Sequence, residues 1–282
     1  MCRVSDSTCY RRLRPILNYQ LSFSNMNTSH WWQNAWAALI FFTRLPFWRV
    51  YQPPGSSYRA VVEWWPLTGW LTGGATAAAL YGAAQLWSLP VAVVLALVVR
   101  VMLTGALHED GLADFFDGFG GGGNDRTRIL AIMKDSRIGT YGVLSLLAYH
   151  ALLFVALASM PLTLGVWTLA AAAPFARMVA GQLVQMLPYA RTADEAKALV
   201  VYRKPPFAAT LMLAVQGLLP LVPLLYFCGR QLHWEYLVFA PCLAMYILYR
   251  LIAARLQGYT GDCCGAVCLL VELTFVITAA AG

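Results

Sequence analysis

Charge is scarce in this chain. Only 12% of its 282 residues are Asp, Glu, Lys or Arg, against about a quarter in a soluble globular domain. With 60% hydrophobic residues and a mean hydropathy of +0.60, a soluble fold is excluded. A C-x-x-C pair is lacking too. Cys2, Cys9, Cys228, Cys242, Cys263, Cys264 and Cys268 are scattered without a C-x-x-C arrangement, which argues against a disulfide framework or zinc and leaves small packing thiols. No nucleic-acid module accompanies the net charge of +7. The basic start, with Arg3, Arg11, Arg12 and Arg14, lacks the apolar core and small-residue cleavage site of a signal peptide. Met26 opens a more ordinary beginning, so 1–25 read as a disordered upstream extension and 26–282 as a single integral-membrane domain.

What the chain does have is long apolar blocks, near 67–88, 91–107, 141–159, 162–187, 207–227, 236–254 and 264–281. Blocks of roughly 18 or more residues match a bilayer core of about 30 Å. The expectation is an all-α, polytopic transmembrane helical bundle of about seven spans. Trp31 to Trp48 is apolar and aromatic but short, and holds Arg44 and Pro46, so it reads as an interfacial or re-entrant helix. Basic residues cluster in alternate connections: Arg44, Arg49 and Arg59; Arg126, Arg128, Lys134 and Arg137; Arg191, Lys197, Arg203 and Lys204; Arg250 and Arg255. The connections between them hold only Arg230. The positive-inside rule then puts these segments and the N-terminus in the cytoplasm and the C-terminus outside.

The segment His108-Glu109-Asp110-Gly111-Leu112-Ala113-Asp114-Phe115-Phe116-Asp117-Gly118 directly follows an apolar block and is expected to prolong its helix. Helical steps of four and three place Asp110, Asp114 and Asp117 on one face. Three close carboxylates repel unless a cation joins them, and an all-oxygen set suits Mg²⁺ or Mn²⁺ rather than zinc. The plain alternative is a solvated acidic helix end, against which Phe115 and Phe116 argue. The glycine run 120–123 is a hinge or loop and, without a preceding strand, no dinucleotide fingerprint. Beyond it, Lys134, Ser136 and Arg137 precede the next span, where a helix N-terminus with cationic neighbours favours phosphate oxygens. Arg126 and Arg128 read equally well as membrane anchors. Arg177 lies inside an apolar block, where a charge is commonly functional, or snorkels. Asp262 either adds a fourth carboxylate or caps a helix, and Glu272 reads as a buried polar contact.

These segments resemble the adenosylcobinamide-GDP ribazoletransferases, the cobalamin synthases. The likeness rests on Phe42-Thr43-Arg44-Leu45-Pro46, Trp65-Pro66-Leu67-Thr68-Gly69, the run from His108 to Asp114 with Asp117-Gly118, Ile132 through Gly139, Thr260-Gly261-Asp262 and Gly265-Ala266, in family order from about residue 40 to 270. Departures are the paired Phe115-Phe116 and Cys263-Cys264, which leave the carboxylates untouched. The resemblance implies that a ribose hydroxyl of α-ribazole or its 5′-phosphate attacks the corrinoid-linked phosphorus of adenosylcobinamide-GDP, and GMP leaves. It implies Mg²⁺ on Asp110, Asp114, Asp117 and Asp262. Lys134 and Arg137 would be catalytic, with His108 or Glu109 as general base, and Arg44, Ser136 and Arg177 would hold substrate phosphate. The setting implied is the bacterial inner membrane, multi-pass, with the active face cytoplasmic. A homo-oligomer or association with other corrinoid-assembly enzymes is left open.

Two rivals have distinct signatures. A CDP-alcohol phosphotransferase needs D-x2-D-G-x2-A-R followed by G-x3-D-x3-D, which is only partly imitated here because Gly111 is followed by Leu112-Ala113-Asp114 and no second half appears. A transporter needs charge near the midplane of several spans.

Overall fold

The computed structural model describes residues 30–191 and 201–282; the 1–25 extension and Lys197 lie outside the described residues. Among these, the regular secondary structure is helical apart from one isolated bridge, Tyr189 with Tyr259. Helix α1 (Trp31–Phe42) is too short to span a bilayer. It buries Ala37, Ala38 and Phe42, while exposed Trp31 and Trp32 sit against Trp64 and Tyr51. That aromatic edge is the pattern of an interfacial helix. A 3-10 stretch over Gly55–Trp64 leads into α2 (Trp65–Ala83), whose Pro66 lies in its first turn, where no intrahelical N–H is needed.

Helices α3 (Leu89–Thr104), α4 (Leu107–Gly121), α5 (Arg126–Lys134), α6 (Thr140–Ser159), α7 (Leu162–Met186), α8 (Phe207–Leu218), α9 (Leu221–Cys228), α10 (Trp234–Leu256) and α11 (Gly261–Ala280) follow. Five helical units are long and apolar enough to cross a membrane: α6, α7, α8 with α9, α10 and α11; the bent pair α3 and α4 makes a sixth. Each expected apolar block is helical. By length and composition, however, the count falls short of seven because α2 is lined by Thr68, Thr72 and Thr76 and interrupted by glycines. These threonines are buried, and Thr72 and Thr76 donate back to the carbonyls four residues earlier, at 3.0 and 2.7 Å. α2 thus turns a threonine-lined face into the bundle and leaves Trp70 and Tyr81 exposed on the other.

α7 and α11 form the centre, and α6, α8, α9 and α10 turn large apolar residues outward, as lipid requires. Small residues let the central helices approach closely. A Cβ on Gly69 would lie 2.6 Å from Pro174 Cα of α7, and one on Gly111 would lie 3.2 Å from Asp262 Cα of α11.

The structure corrects the expectation that the acidic segment prolongs the preceding helix. Gly105 and Ala106 take left-handed conformations, φ 64° and 57°, and α4 leaves α3 at 89°. Gly105 ends α3 through its N–H to Val101, a common glycine stop. The acidic helix crosses the end of the bundle instead of continuing along it.

Candidate active site at the acidic end

Four basic segments meet around this crossing helix. Arg126 donates to Leu256 O, the end of α10, at 2.8 Å, and to Ala190 O at 2.7 Å. Arg191 donates to Leu130 O, and Arg255 donates to Phe119 O while lying over its ring. Arg203 pairs with Glu63 at 2.7 Å, and Arg44 N–H donates to Leu103 O beside the elbow. Arg126, read equally as anchor or phosphate ligand, thus serves a helix C-terminus whose carbonyls lack partners. The far end of the bundle is marked by the C-terminus, where Gly282 touches Gln231.

On α4 the carboxylates separate by environment. Asp110 is exposed, while Asp114 and Asp117 are buried. Asp262, in the first turn of α11, packs its backbone on Gly111, which lies between Asp110 and Asp114 in sequence. Asp117 is engaged elsewhere: its two oxygens accept from Gly139 N–H at 2.6 Å and Gly142 N–H at 2.8 Å. It caps α6 from a neighbouring helix. The N-terminus expected to receive substrate phosphate is therefore filled by the protein's own anion, for the same electrostatic reason. Among the described residues, no three His, Cys, Asp or Glu side chains are grouped closely enough to hold a metal ion as they stand.

The expected phosphate ligands divide as well. Lys134, the last residue of α5, and Ser136, on the connection to α6, are both exposed. Arg137 is exposed and bound bidentately by Asp135, with Nη2 2.8 Å from Oδ2; its guanidinium hydrogen bonds hold the Asp135 carboxyl below its usual range. Arg44 is exposed, and its side chain lies across Gly105 at the elbow. Arg177 is not at the rim: it is 2% exposed, inside α7, donating to Ala173 O at 2.8 Å.

Arg177 belongs to an interior polar cluster. Arg100 of α3 donates to Glu272 of α11 at 2.7 Å and lies 4.0 Å from Glu109 of α4. The guanidinium also stands 5.9 Å over the Tyr149 ring of α6. His108 packs near-parallel to the rings of Phe42 and Trp65, its Nε2 without a hydrogen-bond partner. Thr72, Thr76, Arg100, Arg177 and Glu272 surround a cavity of about 10 Å³, the room one water needs.

A family model for cobalamin-5-phosphate synthase matches residues 34–280, nearly the whole chain and every segment of the site. The chain belongs to the cobalamin-5-phosphate synthase family. Curated relatives carry the name adenosylcobinamide-GDP ribazoletransferase. The one from Azorhizobium caulinodans is 41% identical over 86% of this chain and 92% of its own length. That of Leptothrix cholodnii is 39% identical over 84% and 90%, and that of Leptospira interrogans 31% identical over 87% and 94%. No solved structure matches the chain. Membership also weighs against the CDP-alcohol phosphotransferase and transporter readings.

Sequence reasoning missed Arg100 altogether. The signal was present: a single arginine in the otherwise apolar run 89–104, where an ionised side chain needs a partner. Glu272, read as a polar contact, is that partner.

Proposed function

We propose that this chain joins adenosylcobinamide-GDP to α-ribazole or its 5′-phosphate, giving adenosylcobalamin or its 5′-phosphate and GMP, at the cytoplasmic face of a bacterial inner membrane. The observation that carries this reading is the convergence of α4, the head of α11 and four basic segments at one end of a membrane bundle in a family named for this synthesis. The alternation of basic connections supports the cytoplasmic assignment.

The oxygen donors fit Mg²⁺ in chemistry. Asp110 and Asp114 lie one turn apart, and Asp262 starts a helix packed on the glycine between them. Asp117 is the weakest member of the set, because both its oxygens already serve α6. Mg²⁺ bound here would neutralise charge on the diphosphate and departing GMP. The chain's own residues orient the exchange. Lys134 and Ser136, exposed beside α4, and Arg44 at the elbow meet phosphate oxygens, and Arg137 does so after exchanging Asp135 for substrate. The attacking hydroxyl forms a new P–O bond to the corrinoid-linked phosphorus, the P–O bond to GMP breaks, and the hydroxyl proton passes to a base. His108 and Glu109 are both buried, so either serves as base only from the inner side of α4.

Purified protein in liposomes, given adenosylcobinamide-GDP, α-ribazole and Mg²⁺, should release one GMP per completed corrinoid. No GMP from folded protein with fresh substrates would overturn the reading. Reporters fused after Asn124 should be cytoplasmic and one after Gly282 periplasmic; a cytoplasmic C-terminal reporter would contradict the sidedness.

A further inference from the structure

We propose that Arg100 is a positioning residue for the transfer, clamping the elbow that sets where the carboxylates of α4 stand relative to the head of α11. Its guanidinium bridges three helices. Arg100 lies on α3 before the left-handed pair Gly105 and Ala106; Glu109, 4.0 Å away, lies just after it on α4; Glu272, at 2.7 Å, lies on α11. Glu109 adjoins Asp110 in the chain, and Glu272 shares a helix with Asp262. One buried cation therefore links both halves of the carboxylate set without touching the exposed face of Asp110.

Charge at this depth is expensive, and apolar residues of similar volume would pack the same helices at least as well. Packing alone does not account for Arg100, Glu109 and Glu272 being buried together. A rigid elbow does. Left-handed backbone at non-glycine Ala106 is unfavourable by itself, so the bend needs a tie across it. The tie is also incompletely satisfied: Arg100 Nη1, Glu109 Oε2 and, across the small cavity, Arg177 Nε have no hydrogen-bond partner. A single water seated there would complete the clamp.

The proposal rests on the carboxylate reading of the reaction, and its test separates the two. Wild type, Arg100→Gln, Arg100→Lys and the exchange Arg100→Glu with Glu272→Arg are reconstituted in liposomes. GMP release is measured against Mg²⁺ and both substrates, normalised to folded protein by thermal unfolding. Misplacing reacting groups by about 1 Å costs about a hundredfold, so Arg100→Gln should lose about that in kcat. Its half-saturating Mg²⁺ should rise several-fold, with KM for α-ribazole unchanged. Arg100→Lys should lie between; the charge exchange re-forms the pair between α3 and α11 but sets a carboxylate at position 100 against Glu109, so it should leave the elbow untied and the rate low. If Arg100→Gln does not accumulate, the lysine variant carries the same readouts. Losses that only follow the folded fraction, with Mg²⁺ dependence unchanged, overturn the positioning role, and a charge exchange that restores the wild-type rate overturns the tie to Glu109. A wild type indifferent to divalent cations removes the metal reading instead, and the clamp then stands or falls on whether Arg100→Lys keeps more turnover per folded molecule than Arg100→Gln.

Discussion

The interior cluster and the exposed connection between α4 and α6 use the same charged groups in opposite ways. In the connection, Asp125 caps α5 by accepting from Thr127 and Arg128, two and three residues on, and Asp135 pairs with Arg137 two residues on. In the interior, Arg100 and Glu272 are 172 residues apart. Local pairs in water are weak because solvent screens them and long side chains lose freedom. Buried pairs cost more to form and far more to break. The charges nearest one another in the sequence thus hold only their own turn, whereas the distant pair holds the bundle around the site.

The largest effect should come from removing one partner of the buried pair. Glu272→Leu leaves Arg100 only Glu109, 4.0 Å away, and thermal unfolding in detergent should show a loss of about 3–5 kcal/mol; an unchanged midpoint would mean that the pair carries no energy. Adding Arg100→Met should recover much of that stability without recovering turnover. Next come the carboxylates of α4. Asp110→Asn and Asp114→Asn should each lower the rate of GMP release by roughly a hundred- to thousand-fold, about 2.7–4 kcal/mol of transition-state stabilisation, while protein level hardly changes. Normal turnover in inserted protein would sink the metal assignment.

Asp117→Asn sharpens the comparison, because Asp117 sits between the two regimes. Loss of its charged cap on α6 should cost about 0.5–2 kcal/mol of stability, visible as a lower unfolding midpoint that Asp110→Asn does not share. Equal midpoints would return Asp117 to a purely chemical role. The smallest effect belongs to the exposed pair. Asp135→Asn should leave the midpoint unchanged. Since Arg137 depresses the Asp135 carboxyl, the pair is intact above the ordinary carboxylate range and is lost only as pH falls through the lowered value. A neutral-pH midpoint that drops in Asp135→Asn would show that this surface charge matters more than its exposure allows.

Much of the site was legible in advance where the signal is local. The spacing of Asp110, Asp114 and Asp117 announced one acidic helix, and the basic connections announced one end of the bundle, which Arg126, Arg191 and Arg255 now tie together. The elbow was only half legible. Gly105 is an ordinary helix stop, but its run of apolar neighbours hid the 89° turn. Arg177 was legible as a charge inside an apolar block, but that it shares a small interior cavity with Arg100 and Glu272 depends on how α7 is placed relative to α3 and α11.

By itself the sequence determined the membrane class, the helical blocks, the acidic helix and the family resemblance, because each depends on composition or on contacts within a few residues. Only the tertiary structure decided what each carboxylate faces. Asp117 was claimed by the amides of Gly139 and Gly142, 22 and 25 residues away, and Glu272 by Arg100 from another helix. Helical periodicity puts a side chain on a face; which neighbour meets that face is settled by the close glycine contacts and the left-handed elbow that bring the helices together.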